Sequence, residues 1–299
     1  MSFRVAAAAA ALAAMSYGAS GAKWEAQLRA KVKKFPATVT LYAKNLDSGK
    51  TFALQGDDPV RTASTIKLAL MTEVFAAVEE GHAKWPETLV LRDSDKVSGS
   101  GVVRELSDGV WLPIRDLVHL MIVVSDNTAT NLLIDRFTAD AVNARMEKLG
   151  FHETRLMRKV RGDGNALKAA EGWSVDGRKP ENQKYGLGKT TPHEMVTLVE
   201  RMERGELVSP AASKEMIAIM KRQQLTEGIG RKTGELAVAS KSGALDALRS
   251  DVGIVYSPKG RIAMAITVDG MKQIDYSVDN PGNILISDLA QLLIQGLSR

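Results

Sequence analysis

The hydrophobic pattern changes its period twice along this chain, and the two changes divide it. Lys23 to Lys34 reads as an amphipathic helix closed by Pro36. Val39, Leu41 and Ala43 then alternate with polar neighbours, the period-two signature of a half-buried strand. Asp47-Ser48-Gly49-Lys50 makes a turn, and Thr51 to Gln55 a returning strand. From Ile66 the period lengthens. Ile66, Leu70, Val74 and Val78 recur every fourth residue and share one stripe of a helix. Glu73, Glu79 and Glu80 fall off that stripe, and Gly81 offers a stop.

Helices and loops then dominate to about residue 206. Pro113 opens one helix, with Leu117, Leu120, Met121 and Val124 on its buried side. Thr128 to Phe137 gives a second, and Thr138 to Leu149, ending at Gly150, a third. Thr191-Pro192-His193-Glu194 has the form of a capped start: a threonine N-cap, proline at the first position and glutamate for a capping box. That helix ends at Gly205, and Ser209-Pro210 opens the next. Strand periodicity returns at Ala237 to Ala244, Val252 to Tyr256 and Arg261 to Val268. Asn283 to Gln295 closes the chain as a helix with Leu285, Leu289 and Leu292 inward.

Strands at both ends with helices between predict an α/β fold. Its antiparallel sheet is built from both chain ends, is flanked by helices, and receives an inserted all-helical lobe. The expected division is an α/β lobe over residues 23–62 and 207–299 and a helical lobe over 63–206. The active site is expected in the cleft between the lobes, a common place for a small ligand.

Composition narrows the chemistry. The 299 residues, 44% hydrophobic and 25% charged, are ordinary for a globular enzyme. Without cysteine there is no disulfide, thiol nucleophile or thiolate metal site. His82, His119, His152 and His193 are scattered without metal-binding spacing, so no metal or cofactor is expected. His119 lies on a helix and reads as a satisfied structural histidine. The net charge of +5 is spread along the chain without a basic run among aromatics, which speaks against nucleic acid as a partner. It suits an anionic small molecule or an acidic envelope polymer. Residues 1–22 read as a signal peptide: Arg4, an alanine-rich run from Val5 to Met15, then Ser20-Gly21-Ala22 for cleavage. The protein is therefore expected to be secreted or periplasmic, with no stable membrane anchor after processing.

Ser64 stands at or near a helix start, with Lys67 three residues on. A serine hydroxyl needs a base, and a lysine whose pKa is lowered in a closed site can be one. Alone the spacing is weak. It arises by chance roughly once in such a chain, and Ser20-Gly21-Ala22-Lys23 also shows it. On this spacing alone Ser64 reads first as an N-cap followed by an exposed lysine. Two further motifs change the weighing. Ser125-Asp126-Asn127 lies between two helices, and Lys241-Ser242-Gly243 on the first returning strand. Lys232-Thr233-Gly234 also fits the third pattern, but it follows Gly228 and Gly230 and reads as a loop. Gly188-Lys189-Thr190 resembles the tail of a phosphate loop, but Gln183 stands where that loop needs glycine.

Three such motifs in this order resemble the penicillin-recognising serine enzymes, and the class A β-lactamases in particular. The likeness includes Ser98-Gly99-Ser100-Gly101, Ser125 through Asn131, and Arg249-Ser250-Asp251-Val252-Gly253. It implies that Ser64 attacks a carbonyl with Lys67 as base, and that Ser125 passes a proton to the departing nitrogen. Asn127 would hold a substrate amide. Lys241 and Ser242 would attract a carboxylate, and Gly243 would leave room beside the strand. The backbone N–H groups of Ser64 and Ala244 would form the oxyanion hole. Asp126 would be structural, turned inward to fix its loop.

One part of the family pattern is missing. Thr154-Arg155-Leu156 and Arg158 fit, but Val160 falls where the family has its deacylating glutamate. The connection from Arg158 to Lys189 is longer and holds Asp163, Glu171, Asp176 and Glu181. Each of these reads as solvated or paired rather than catalytic, Asp163 being the nearest in sequence. The resemblance thus implies a secreted serine hydrolase that forms an acyl-enzyme with a small-molecule β-lactam. Its alternatives are a D-alanyl-D-alanine peptidase or esterase of the envelope, and a binding protein that traps the acyl group.

Overall fold

The computed structural model describes residues 23–161 and 172–298. The expected leader, Asp163 and Glu171 lie outside the described residues. Helix α1 covers residues 23–34. Strands β1 (Thr38–Asn45) and β2 (Thr51–Leu54) form the first hairpin, and β3 (Val60–Arg61) leads to a 3-10 turn, Ala63–Ile66. Then come α2 (Lys67–Glu79), β4 (Thr88–Val90), β5 (Trp111–Pro113), α3 (Ile114–Val123), α4 (Asn127–Phe137) and α5 (Ala139–Lys148). They are followed by β6 (Arg155–Leu156), α6 (Val175–Arg178), β7 (Gly188–Thr190), α7 (Pro192–Glu203) and α8 (Pro210–Met220). Strands β8 (Ala237–Leu245), β9 (Leu248–Ser257) and β10 (Gly260–Asp269) precede the closing helix α9 (Pro281–Leu297).

The main sheet has the order β2-β1-β10-β9-β8, and its neighbouring strands pair antiparallel. Both chain ends build it, and β8 is an edge strand, as expected. Its two faces meet different cores. Leu41, Ile262, Met264 and Ile266 turn toward α1 and α9. Ala239, Val252, Ala263 and Ala265 turn toward the helical insertion. Burial on both faces removes most apolar side chains of these strands from water, the main favourable term in folding.

The insertion, together with β3 just before it, adds to its helices two small antiparallel sheets, β3-β7-β6 and β4-β5, that the periodicity did not disclose. At two or three residues each, five of these short strands fall below any reliable alternation. Helix α2 also departs from expectation. It is buried on every side from Lys67 to Ala77, not along one stripe, because α3, α4, α5 and α8 surround it. Glu73 is therefore inside, where Arg145 Nε donates to it at 2.8 Å. The N-cap of α7 holds, since Thr191 Oγ1 accepts from Glu194 N–H. The reciprocal half of the capping box does not form. Glu194 instead accepts from Glu153 N–H and from Thr154 Oγ1, tying α7 to the chain before β6. Among the described residues no helix is long and apolar enough to cross a membrane.

Candidate active site

Ser64 is half-buried on an otherwise buried turn that lies against edge strand β8. A side chain at Gly243 would meet Thr62 O at 2.8 Å and Ser64 N at 3.0 Å. Only a residue without Cβ lets strand and turn come this close, so glycine here sets where Ser64 sits against β8. Just before Ser64, Ala63 holds φ at +47°, a left-handed conformation an alanine rarely adopts. Ser125 does the same at φ +54°. Among the described residues, two of the four non-glycine residues with positive φ thus flank the candidate site. Such strain costs about 1–3 kcal/mol each and is kept where the surroundings over-determine it.

Ser125 is the point on which both lysines converge. Lys67 Nζ donates to Ser125 O at 2.8 Å and to Asn127 Oδ1 at 3.0 Å, and lies 3.3 Å from Ser125 Oγ. Lys241 Nζ reaches across from β8 to the same hydroxyl at 2.9 Å and to Ser242 O at 2.7 Å. Both lysine side chains have no solvent exposure. Burial pulls Lys67 well below the usual lysine range, and the neighbouring Lys241 charge pulls it further. Burial brings Lys241 down to about 7, against the opposing pull of the Asp251 charge. Two ammonium groups sharing one hydroxyl repel each other, so the arrangement favours one neutral amine beside one cation. Among the described residues, the hydrogen bonds of the Lys67 amine all go to Ser125 and Asn127. Its amine is not bonded to the Ser64 hydroxyl in this state.

Asp126 turns inward, as expected, and organises the loop. It accepts from the N–H groups of Val102 (2.6 Å), Val103 (2.8 Å) and Ala129 (2.8 Å). The last of these caps α4. Gly101, at φ +105°, lies where a Cβ would strike Asp126 Oδ2 at 2.1 Å. The Ser98 to Gly101 stretch thus packs directly on the second motif. Asn127 is engaged at both ends of its amide. Besides accepting from Lys67, it donates to Ser98 O at 3.0 Å, which leaves one N–H for a ligand.

The remaining expected residues line β8. Ser242 is half-buried, Gly243 is buried, and Ala244 is exposed beside it. Opposite Ser242 on β9 lies Asp251. It is buried and pushed up to about 7 by desolvation, with Oδ2 held by Ile229 N–H at 2.8 Å. Lys232-Thr233-Gly234 is a loop as expected, following a 3-10 turn at Ile229–Lys232.

Position 160 is fixed by a residue the sequence reading passed over. Asn131 Oδ1 accepts from Val160 N–H at 2.8 Å, and Asn131 Nδ2 donates to Val160 O at 3.0 Å. Asn131 lies one helical turn after Asn127, so the i, i+4 spacing of two asparagines on α4 was the available signal. The valine side chain packs against the helical core. Of the acids on the long connection, Asp176 pairs with Lys179 at 2.6 Å and with Arg155 at 3.4 Å. Glu181 is exposed.

A sheet from both chain ends, a helical insertion and this serine and lysine cluster define a β-lactam-recognising serine hydrolase fold. The chain belongs to the beta-lactamase enzyme family, which its sequence matches over residues 23–297. Beta-lactamase L2 of Stenotrophomonas maltophilia is 27% identical over 212 residues, covering 69% of this chain and 60% of that protein's length. A beta-lactamase structure from Sphaerobacter thermophilus is 32% identical with a TM-score of 0.76, covering 94% of this chain and 96% of that one. PBP-A, in a leucine-to-glutamate variant captured as an acyl-enzyme with penicillin G, is 27% identical with a TM-score of 0.77. That match covers 92% of this chain and 96% of the other.

Proposed function

We propose that this protein is a secreted serine hydrolase that β-lactams acylate on Ser64, and that it releases the acyl group slowly. The observation that carries the reading is the meeting of two buried lysines at Ser125, beside a turn that Gly243 holds against β8. Ser64 Oγ attacks the lactam carbonyl carbon and gives its proton to neutral Lys67. The developing oxyanion takes the N–H groups of Ser64 and Ala244. When the ring C–N bond breaks, Ser125 protonates the nitrogen and is resupplied by Lys67, which passes on the proton it took from Ser64. Lys241 keeps its charge for the substrate carboxylate, with Ser242 beside it. Asn127 offers its free N–H to the side-chain amide. The substrate lies in the cleft between the sheet-bearing lobe, residues 23–62 and 207–299, and the helical lobe, residues 63–206.

Release of the acyl group needs an activated water. Val160, clasped by Asn131, puts a hydrocarbon where a general base would stand. The same valine favours a second reading, a protein that stays acylated and acts as a trap. Intact-mass spectrometry after incubation with a penicillin tests the proposal. One adduct on the peptide carrying Ser64 is expected, absent in Ser64→Ala. An adduct that survives in Ser64→Ala overturns the assignment.

A further inference from the structure

A second groove, of about 490 Å³, opens on the main sheet face that also carries Gly243. Its floor follows from strand register. Thr38 pairs with Asp269, and Thr40 with Thr267, across β1 and β10. Thr267 pairs with Ser250, and Ser250 with Gly243, so these residues form one row across the sheet. The Ser250 and Thr267 hydroxyls bond each other at 2.9 Å. Thr40 is 5% exposed, and its hydroxyl has no partner among the described residues. A buried hydroxyl without a partner carries a desolvation cost that a bound polar group relieves.

The walls bring both signs of charge. Arg61 is bound to Asp269 through Nε and its terminal nitrogen, and Asp58 and Lys184 also line the groove. Two cations and two carboxylates leave the groove without net charge. An anion would face Asp58 and Asp269, and a cation would face Arg61 and Lys184. A hydroxyl donates to the carboxylates and accepts from the cations equally well. Gln55, held at φ +49°, adds an amide that does both. The Tyr185 ring is already covered by Lys184 and Lys189, at 5.1 and 5.5 Å, so recognition here is by hydrogen bonds and not by stacking.

We propose that this groove binds a neutral, hydroxyl-rich ligand, a saccharide of one or two rings, with the Thr40 hydroxyl as its buried anchor. The site is separate from the chemistry at Ser64 and stands whether or not the protein turns over β-lactams. The test is a heteronuclear NMR titration of the whole protein with N,N′-diacetylchitobiose. Saturable shifts confined to Thr38, Thr40, Gln55 and Thr267 are expected. Thr40→Val should weaken binding about tenfold, the scale of one lost hydrogen bond. Thr40→Ser, which restores the hydroxyl, should recover it, and neither change should alter acylation at Ser64. The four-ring oligomer, titrated in parallel, tells a free sugar from a polymer segment. Tighter binding of the oligomer assigns the site to a polymer, and equal binding to a free sugar. No saturable shift up to the solubility of the sugar overturns the proposal. So does a groove that saturates with D-alanine or inorganic phosphate and not with the sugar, or binding that Thr40→Val leaves unchanged.

Discussion

Replacing Gly243 by alanine would set a methyl group 2.8 Å from Thr62 O and 3.0 Å from Ser64 N. Both are backbone atoms, so the strand must move away from Ser64. We expect a stability loss of about 1–3 kcal/mol in urea unfolding, with acylation falling more than stability explains. Unchanged acylation in a folded Gly243→Ala protein would mean that the approach of β8 is not needed. The two lysines divide in their response to pH. Lys67 must be neutral to accept a proton, so acylation should rise with pH as it deprotonates. Lys241 must be charged, so acylation should fall above about 7, where it loses its proton. Lys241→Arg should remove the falling limb, because arginine keeps its charge. Lys67→Arg should nearly abolish acylation at every pH. Stopped-flow acylation rates across pH 5 to 10, an interval of roughly neutral span about the usual enzyme range, read both limbs. At this scale the motif residues were legible one by one. Their strain was not, because neither Ala63 nor Ser125 advertises a positive φ by its type.

Element by element, the pattern was clearest where a helix carries its own cap. Thr191-Pro192 and Ser209-Pro210 start α7 and α8 where the sequence placed them. It was weakest where partners far along the chain decide. The all-round burial of α2 depends on four other helices, although its apolar content, Leu68 to Met71 and Val74 to Val78, already exceeded one stripe. Strand β9 begins at Leu248, earlier than the periodicity predicts, because Arg249 to Asp251 are buried polar residues paired within the sheet. Asp126 shows what holds such elements in register. Asp126→Ala would leave three backbone donors, at Val102, Val103 and Ala129, without their acceptor. We expect a loss of about 3 kcal/mol or more, with faster amide exchange over residues 99–103 and the first turn of α4. Protection equal to the parent protein would show that another group anchors this loop.

At the scale of the whole molecule, the site is assembled from segments far apart in sequence. Lys67, Ser125 and Lys241 come together because β8 ends the long return from the helical insertion and lies beside the turn that enters it. The order of the motifs was legible from the sequence, and so was the valine at position 160. The clasp by Asn131 and the convergence of both lysines on one hydroxyl were not, since they depend on packing between elements. The account rests on a complete acylation apparatus combined with a missing deacylation base. A positioned general base is worth roughly a hundred- to ten-thousand-fold in rate. Stopped-flow hydrolysis of nitrocefin by the parent protein and by Val160→Glu tests this most directly. The account predicts a burst of about one equivalent followed by a slow phase, with the slow phase faster in Val160→Glu and the burst unchanged. Rapid linear turnover without a burst in the parent protein would contradict it.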